Sequence, residues 1–467
     1  MSERRFLQTP LPSAESANVS MRTGFGGLNQ TGLIDTGEIT DGSGFTSAHL
    51  PEIRSIRTPK HVRAFTFEVI STAAIADILL VVAFDGTNTN LYYIRGEKMY
   101  VGNLASGRDD RPRSIVQFNV YNDALSIAGD FSKKLLIFPD RKSMDYDVED
   151  NFKLLDINTT ENPIPDIDYA TVYNARLFGV KDGKIYASGF NNYANFNLDN
   201  ATDIGEGNAW ASETQSNPKA QNTFVALTVY DGHPIGFKPD YMQTVYNTKN
   251  PFRIVDIGEF GCVSNKAHCQ CGGALFFVSK DGVYRYGGGY PAKISDKLNI
   301  ADYSTAELAA HKDEVYLNIS GDIYTYSVIT GAWARGETLS GMGNMVATTD
   351  GVYIFGNDII VKLREGEAYY DMRLELGDIA MQTTDNKRPK EIAVLYKLIG
   401  DGSLGVVVSD GERDVGRNTH KEGTRAVRLH TRGLAGDIHS IEINTTGEAT
   451  LCYLQYIFTK GGNTYER

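Results

Sequence analysis

The sequence predicts an all-β chain: a β-propeller of about seven blades, followed by a C-terminal β-sandwich and preceded by an extended N-terminal arm. Three observations predict it. Among 467 residues there are 47 Gly, 26 Tyr and 21 Phe against 14 Pro and 2 Trp, a balance that favours short strands joined by turns. Helical periodicity is nearly absent: the best helix candidate, residues 305–311, is short and has no three-turn apolar stripe. The third observation is a recurring unit. An apolar or aromatic run meets an Asp-Gly or Gly-Asp turn, and a second run rich in Tyr, Ile and Val follows.

From the N-terminus, residues 1–50 have no periodicity and are rich in Gly, Ser and Thr, which predicts an extended segment that orders by packing on something else, a neighbouring subunit included. Residues 51–370 hold the recurring units. They run through 79–86 with 91–102, then 134–138, 175–188 around Asp182-Gly183, 225–237 around Asp231-Gly232, 273–286 around Asp281-Gly282, 314–326 around Gly321-Asp322, and 349–355 around Asp350-Gly351. Their spacing of about 35–50 residues is that of propeller blades, small sheets that cannot cover both faces alone and so stack around an axis. A large β-sandwich with frequent hairpins is the competing fold. The Trp-Asp signature of WD40 repeats is missing from the units.

Residues 371–467 change character. Short strand-like runs at 392–398, 403–411, 426–430, 438–443 and 449–458 predict a compact sandwich, with the boundary near 366–382. Charge partitions with this division: residues 371–467 hold 13 Lys and Arg against 14 Asp and Glu, so −11 of the net −12 falls on residues 1–370.

Several function classes drop out. No uncharged apolar run approaches the roughly 18 residues of a membrane-spanning helix. The N-terminus has basic residues but no apolar core behind them, so it does not read as a secretory signal. Four cysteines are no disulfide framework. The acidic balance opposes a tight grip on nucleic-acid phosphates, though not a surface past which DNA slides without sticking.

Candidate chemistry is sparse. Cys262, His268, Cys269 and Cys271 invite a zinc reading, but no C-x-x-C knuckle or second ligand pair accompanies them, and His268 would point to the opposite strand face from Cys269 and Cys271. Core packing of the thiols is the stronger reading. Ser279-Lys-Asp281-Gly282 resembles a sialidase turn without its spacer residue, and Asp-Gly here reads as hairpin chemistry. Gly24-Phe-Gly26-Gly27 is no dinucleotide fingerprint, and G-x-S-x-G, H-E-x-x-H and Walker patterns are missing. Arg428, His430 and Arg432 alternate along one strand face, which reads as solvated rather than as a phosphate contact. Trp210, Trp333, Tyr369 and Tyr370 could stack on sugars but read as packing. No catalytic, cofactor-binding or metal-binding residue is assigned, and no cofactor is expected.

The middle of the chain resembles the propeller proteins of tailed bacteriophages: the DNA-stabilisation or tail-hub proteins of the head–tail connection and related proteins of long-tailed phages of Firmicutes. The residues concerned are Tyr173-Asn-Ala-Arg176-Leu-Phe-Gly179, Ile185-Tyr-Ala-Ser188, Asn195-Phe196-Asn197, Val245-Tyr246, Gly261-Cys-Val-Ser264, 277–286 and Gly289-Tyr-Pro291-Ala-Lys-Ile294-Ser295. Phe25-Gly26-Gly27-Leu28-Asn29, Gly37-Glu38 and Pro51-Glu-Ile-Arg54 resemble the family's opening segment. Lys387-Arg388-Pro, Gly402-Ser-Leu and Val427-Arg-Leu resemble its terminal domain.

The resemblance implies a non-enzymatic virion structural protein in the tail or neck, assembled in the bacterial cytoplasm. It would form a homo-oligomeric, six-fold ring that contacts portal or adaptor and tail proteins. Packaged DNA would pass nearby without sequence-specific binding. Blades would form the wall, while the arm and the terminal sandwich dock onto neighbours, so that deleting residues 1–50 would abolish ring incorporation and leave the propeller folded. A tail-tip adsorption protein that binds host surface glycan is the alternative. A glycan hydrolase, which would need two carboxylates facing one another across a propeller cleft, is the third reading.

Overall fold

The fold is taken from a computed structural model, which describes residues 18–31, 37–121, 131–148, 152–159, 163–198, 208–212, 222–356, 358–377, 387–431, 434 and 440–460. Every regular element among them is a strand. Seven four-stranded antiparallel sheets follow one another along the chain. Each is one blade, with its first strand nearest the axis.

Blade 1 comprises Glu68–Ile75, Ile78–Phe84, Asn88–Arg95 and Lys98–Ser106. Its two middle strands are buried on both faces, which is why they read as unbroken apolar runs. Alternate residues serve different neighbours. Leu80, Val82 and Tyr93 pack with Leu135 and Ile137 of blade 2, whereas Leu79, Val81 and Tyr92 pack with Tyr353, Phe355 and Ile360 of blade 7. Each fully buried side chain of this kind is worth about 1.5–3 kcal/mol, so the stacking of blades holds the ring together.

Blades 2 to 6 begin at the strands Ser114–Tyr121, Tyr169–Tyr173, Ala226–Tyr230, His268–Cys271 and Glu307–His311. Blade 7 is assembled from both ends of the propeller. Gly343–Ala347, Val352–Phe355 and Ile359–Lys362 are completed by Lys60–Ala64, which pairs Ala64 with Ile359 and Lys60 with Lys362. This closing strand was not legible in the sequence, because its side chains are mostly exposed and basic. The expected seven blades are present, and they run from Lys60 to Lys362 rather than from 51 to 370. The helix candidate at 305–311 is corrected: Glu307–His311 is the inner strand of blade 6, where pairing with Glu314–Ile319 overrides a weak local preference.

The remaining strands among the described residues form one nine-stranded sheet. Its spine is a pair of long strands, Lys387–Ser409 and Ser440–Lys460, whose register shifts after Pro389, Leu395 and Ile399. Such bulges bend a strand. Both halves of the pair feed one core: Ile392, Val394 and Leu454 from one, Val406, Val408, Ile441 and Ile443 from the other. Where a sandwich of 371–467 was expected, the extra β domain also takes in four strands from the start of the chain: Asn18–Thr23, Ile39–Ser43, Phe45–Thr46 and Ile53–Ser55.

The expected N-terminal arm, over its described residues, packs on this same chain. Asn18–Thr23 pairs along Leu454–Thr459, and Ile39–Ser43 pairs with Met372–Leu376. Phe25, Leu28, Ile39 and Phe45 are buried in the core shared with Trp333 of blade 6. Backbone bonds from Leu28 N to Trp333 O (2.7 Å) and Gly44 N to Gly336 O (3.0 Å) lay this segment along blade 6, and Gln30 N to Lys297 O (2.8 Å) ties it to the connection from blade 5. Four apolar side chains with no partner elsewhere in the sequence pattern explain the difference: they fill the joint between propeller and terminal sheet. Deleting residues 1–50 would expose the part of this core that Trp333 shares.

Candidate functional site

A concavity of about 810 Å³ lies among the inner strands. That is within the range of roughly 300–1,000 Å³ typical of ligand pockets. Small and neutral polar side chains dominate its lining, among them Ser71, Thr72, Ser264, Ser304 and Thr305, with Lys266, His268 and Glu307 as its titratable groups beside Cys269 and Tyr169.

The polar groups are tied to one another across blades. Glu307 on blade 6 accepts from the backbone N–H groups of Asn344 and Met345 on blade 7 (2.9 Å each) and from Asn318 Nδ2 (3.1 Å). Lys266, ahead of blade 5, donates to Asn344 Oδ1 and to Ile70 O of blade 1 (3.5 Å), with Glu307 Oε1 at 3.8 Å. Asn344 Nδ2 reaches Val69 O (3.4 Å). Burial lowers the Lys266 pKa, and Glu307 acts in the opposite sense. Four blades thus meet at one Lys–Glu–Asn cluster. Its carboxylate spends both oxygens on fixed donors, so it is not placed to serve as a general acid or base.

His268 stacks on Phe237 with ring centroids 6.2 Å apart, and burial lowers its pKa to about 4, so the imidazole is neutral at pH 7. The thiols beside it do not converge with it on an ion. Cys262 Sγ donates to Ser264 O (3.2 Å), Cys271 Sγ donates to Lys312 O (3.3 Å), and burial pushes the Cys262 thiol up to about 12. Among the described residues no three His, Cys, Asp or Glu side chains are grouped to hold a metal ion.

The hydrolase reading needs a second carboxylate facing the first, and Glu307 is the only Asp or Glu lining this cavity among the described residues. The Asp-Gly turns do hairpin work: Asp231 and Gly232 both have positive φ (47° and 68°), the type I′ signature. Asp281 accepts from Tyr284 Oη at 2.7 Å.

Of the aromatic candidates Trp333 is buried, while Trp210, Tyr369 and Tyr370 are half-buried. Trp333 is 2% exposed and donates Nε1–H to Ile294 O (2.7 Å), Trp210 packs edge-on against Phe252 (5.4 Å), and Tyr369 accepts from Arg57 Nε (3.3 Å). Arg428 and His430 both lie on Glu391, at 3.0 and 3.4 Å, and Arg432 is outside the described residues. One aromatic was missed. Tyr290 is 82% exposed after three glycines, edge-on to Phe260 at 5.8 Å; the Gly-Gly-Gly run was its signal.

No protein-family model matches the chain, and no curated protein matches it in sequence. Among solved structures, streptogramin B lyase aligns at 11% identity over 65% of this chain and 96% of that one, with a TM-score of 0.40. PorZ, a bacterial surface component of the type-IX secretion system of Porphyromonas gingivalis, aligns at 10% identity over 77% of this chain, which spans 46% of PorZ, with a TM-score of 0.37. An exo-β-1,3-galactanase from Phanerochaete chrysosporium aligns at 9% identity over 92% of this chain and 99% of that one, with a TM-score of 0.27. None of these likenesses bears on chemistry.

Proposed function

We propose that this chain is a structural protein of a tailed-phage virion, a non-enzymatic ring component of the head–tail connection that closes the packaged head and links it to distal tail parts. The observation that carries the reading is the committed axial cavity: Glu307 and Lys266 are consumed in joining blades, which leaves the outer surfaces as the working part of the molecule. The resemblance to phage propeller proteins supports it, since the shared residues are scaffold. Arg176 is buried and donates to Ser188 O and Asn208 O (2.7 Å for the latter), and a Cβ on Gly179 would lie 2.4 Å from Ile167. Portal or adaptor and tail proteins would be its partners, and a net-acidic propeller would let DNA pass rather than hold it.

The second reading, adsorption to a host surface glycan at the tail tip, is favoured by Tyr290, an exposed ring on an aromatic support. Cryo-electron microscopy of intact particles separates the two. Rings of propellers at the neck are the expected result; the same propellers at the distal tip favour adsorption, and virions without the chain would sink both.

A further inference from the structure

We propose that Lys266 and Asn344 react with one another to form an isopeptide bond, a covalent cross-link between the entry to blade 5 and the inner strand of blade 7. The proposal goes beyond the virion reading and does not depend on where the chain sits in a particle.

The two side chains are 78 residues apart in sequence and already in contact: Lys266 Nζ donates to Asn344 Oδ1, the oxygen on the carboxamide carbon that it would attack. Both residues are held in place by their surroundings. Lys266 N donates to Ser264 Oγ (3.3 Å), and Lys266 O accepts from Leu308 N of blade 6 (2.8 Å). Asn344 sits where the register shifts between Gly343 and Val346, with a φ of 55° that Asn tolerates better than most residues. Glu307 accepts from its N–H and from that of Met345 (2.9 Å each), and Thr72 Oγ1 donates to its carbonyl (3.2 Å). Its own Nδ2 reaches Val69 O (3.4 Å). Holding an amine against a carbonyl group in this way removes the entropic cost of bringing the two together.

The amine attacks as the neutral form. Burial favours that form by lowering the Lys266 pKa, while Glu307 Oε1, 3.8 Å from Nζ, opposes it. A neutral amine keeps its bonds to Asn344 Oδ1 and to Ile70 O (3.5 Å) through its two N–H groups and has its lone pair left for the carbon. The step balances with no added reagent. Nζ bonds to Cγ of Asn344, the Cγ–Nδ2 bond breaks, and one proton passes from Nζ to Nδ2 by way of solvent. The Asn344 nitrogen then leaves as ammonia through the adjoining cavity, which Lys266 lines. Nothing is oxidised or reduced. Glu307 is a positioning residue: through the N–H groups of Asn344 and Met345 it sets the strand that carries the carboxamide. The product turns a polar contact among four blades into a tie that thermal opening of the ring does not undo.

Intact mass spectrometry of the full-length chain, folded and then reduced and denatured, tests this. The wild type should weigh less than its sequence by one ammonia. A tryptic digest should yield residues 254–280 joined to residues 336–362, with no cleavage after Lys266. Lys266→Arg, which keeps the charge and the donors, and Asn344→Gly, which accepts the same φ, should both have the full sequence mass and give no joined peptide. Glu307→Gln should lower the joined fraction in a variant that thermal melts show to be folded, a readout that a purely structural role would leave unchanged. A wild type of full mass overturns the proposal. So does an ammonia deficit that persists in Lys266→Arg, because the lost nitrogen then comes from another site. Complete joining in Glu307→Gln overturns the part given to Glu307. None of these results bears on the virion reading, which is tested on particles.

Discussion

Arg364, just past the last strand of blade 7, grips Glu314 of blade 6 through one guanidinium nitrogen, at 2.9 and 3.1 Å from the two carboxylate oxygens. Its other terminal nitrogen donates to Thr325 Oγ1 (3.1 Å), and Glu314 also accepts from Thr46 Oγ1 (3.0 Å) of the N-terminal segment. Blade 6, the end of blade 7 and the start of the chain are thereby held at one ion pair. Burial opposes ionisation of Glu314, but Arg364, Thr46 and Tyr316 outweigh it and keep the carboxyl below its ordinary range.

Removing one partner of such a pair strands the other. Arg364→Ala is expected to cost about 3–5 kcal/mol in a denaturant titration, whereas replacing Arg364 and Glu314 together by apolar residues of similar size should cost much less. Equal losses in the single and the double variant would contradict this account.

Glu337, on the outer strand of blade 6, behaves in the opposite way. It is 2% exposed, neither carboxyl oxygen has a hydrogen-bond partner, and burial raises its pKa despite the pull of Arg364, with Glu314 adding to the rise. Its contribution to stability is complete below the unfolded carboxyl pKa and is lost as pH rises through the raised folded value. Melting temperatures between pH 5 and 9 should therefore fall more steeply for the wild type than for Glu337→Gln, which carries no titrating proton. Parallel curves would show that Glu337 stays ionised in the fold.

Gly261 supplies a steric prediction. A Cβ there would sit 1.8 Å from the carbonyl oxygen of Pro239, a backbone atom that cannot swing aside. Gly261→Ala should cost about 3 kcal/mol or more in urea unfolding. The same substitution at Gly287, where a Cβ meets nothing within 4 Å, should change stability little.

The N-terminal segment should behave as core. Phe45→Ala is expected to cost about 3–5 kcal/mol, the ordinary result of emptying a buried aromatic site. A melting temperature within a degree of the wild type would mean that residues 39–46 are not packed as described.

How far the sequence foretold this molecule depended on the kind of burial. Runs such as Leu79 to Ala83 are buried on both faces by flanking blades, so the hairpins stood out from composition alone. The closing strand Lys60–Ala64 is mostly exposed and follows a proline, and nothing local distinguishes it from a loop. Residues 25–46 place one apolar side chain at a time into a joint built from distant parts of the chain, so no period survived to be read. The axial cluster was equally silent, because Lys266, Glu307 and Asn344 are separated widely in sequence and meet only when the ring is closed.

The pairing of Ile53–Ser55 with Thr450 and Leu451 has a consequence for synthesis. A ribosome releases the first of these strands almost 400 residues before its partner, and until blade 6 is made Phe25, Leu28, Ile39 and Phe45 lack the core they share with Trp333. Blade 7 likewise stays one strand short of closure or lacks its body until residue 362 is made. A chain that stops early thus displays greasy side chains and an open sheet edge, the marks by which chaperones and proteases choose their clients. Only once the strand Ser440–Lys460 has been made can the first strands of the chain find their partners and withdraw those signals.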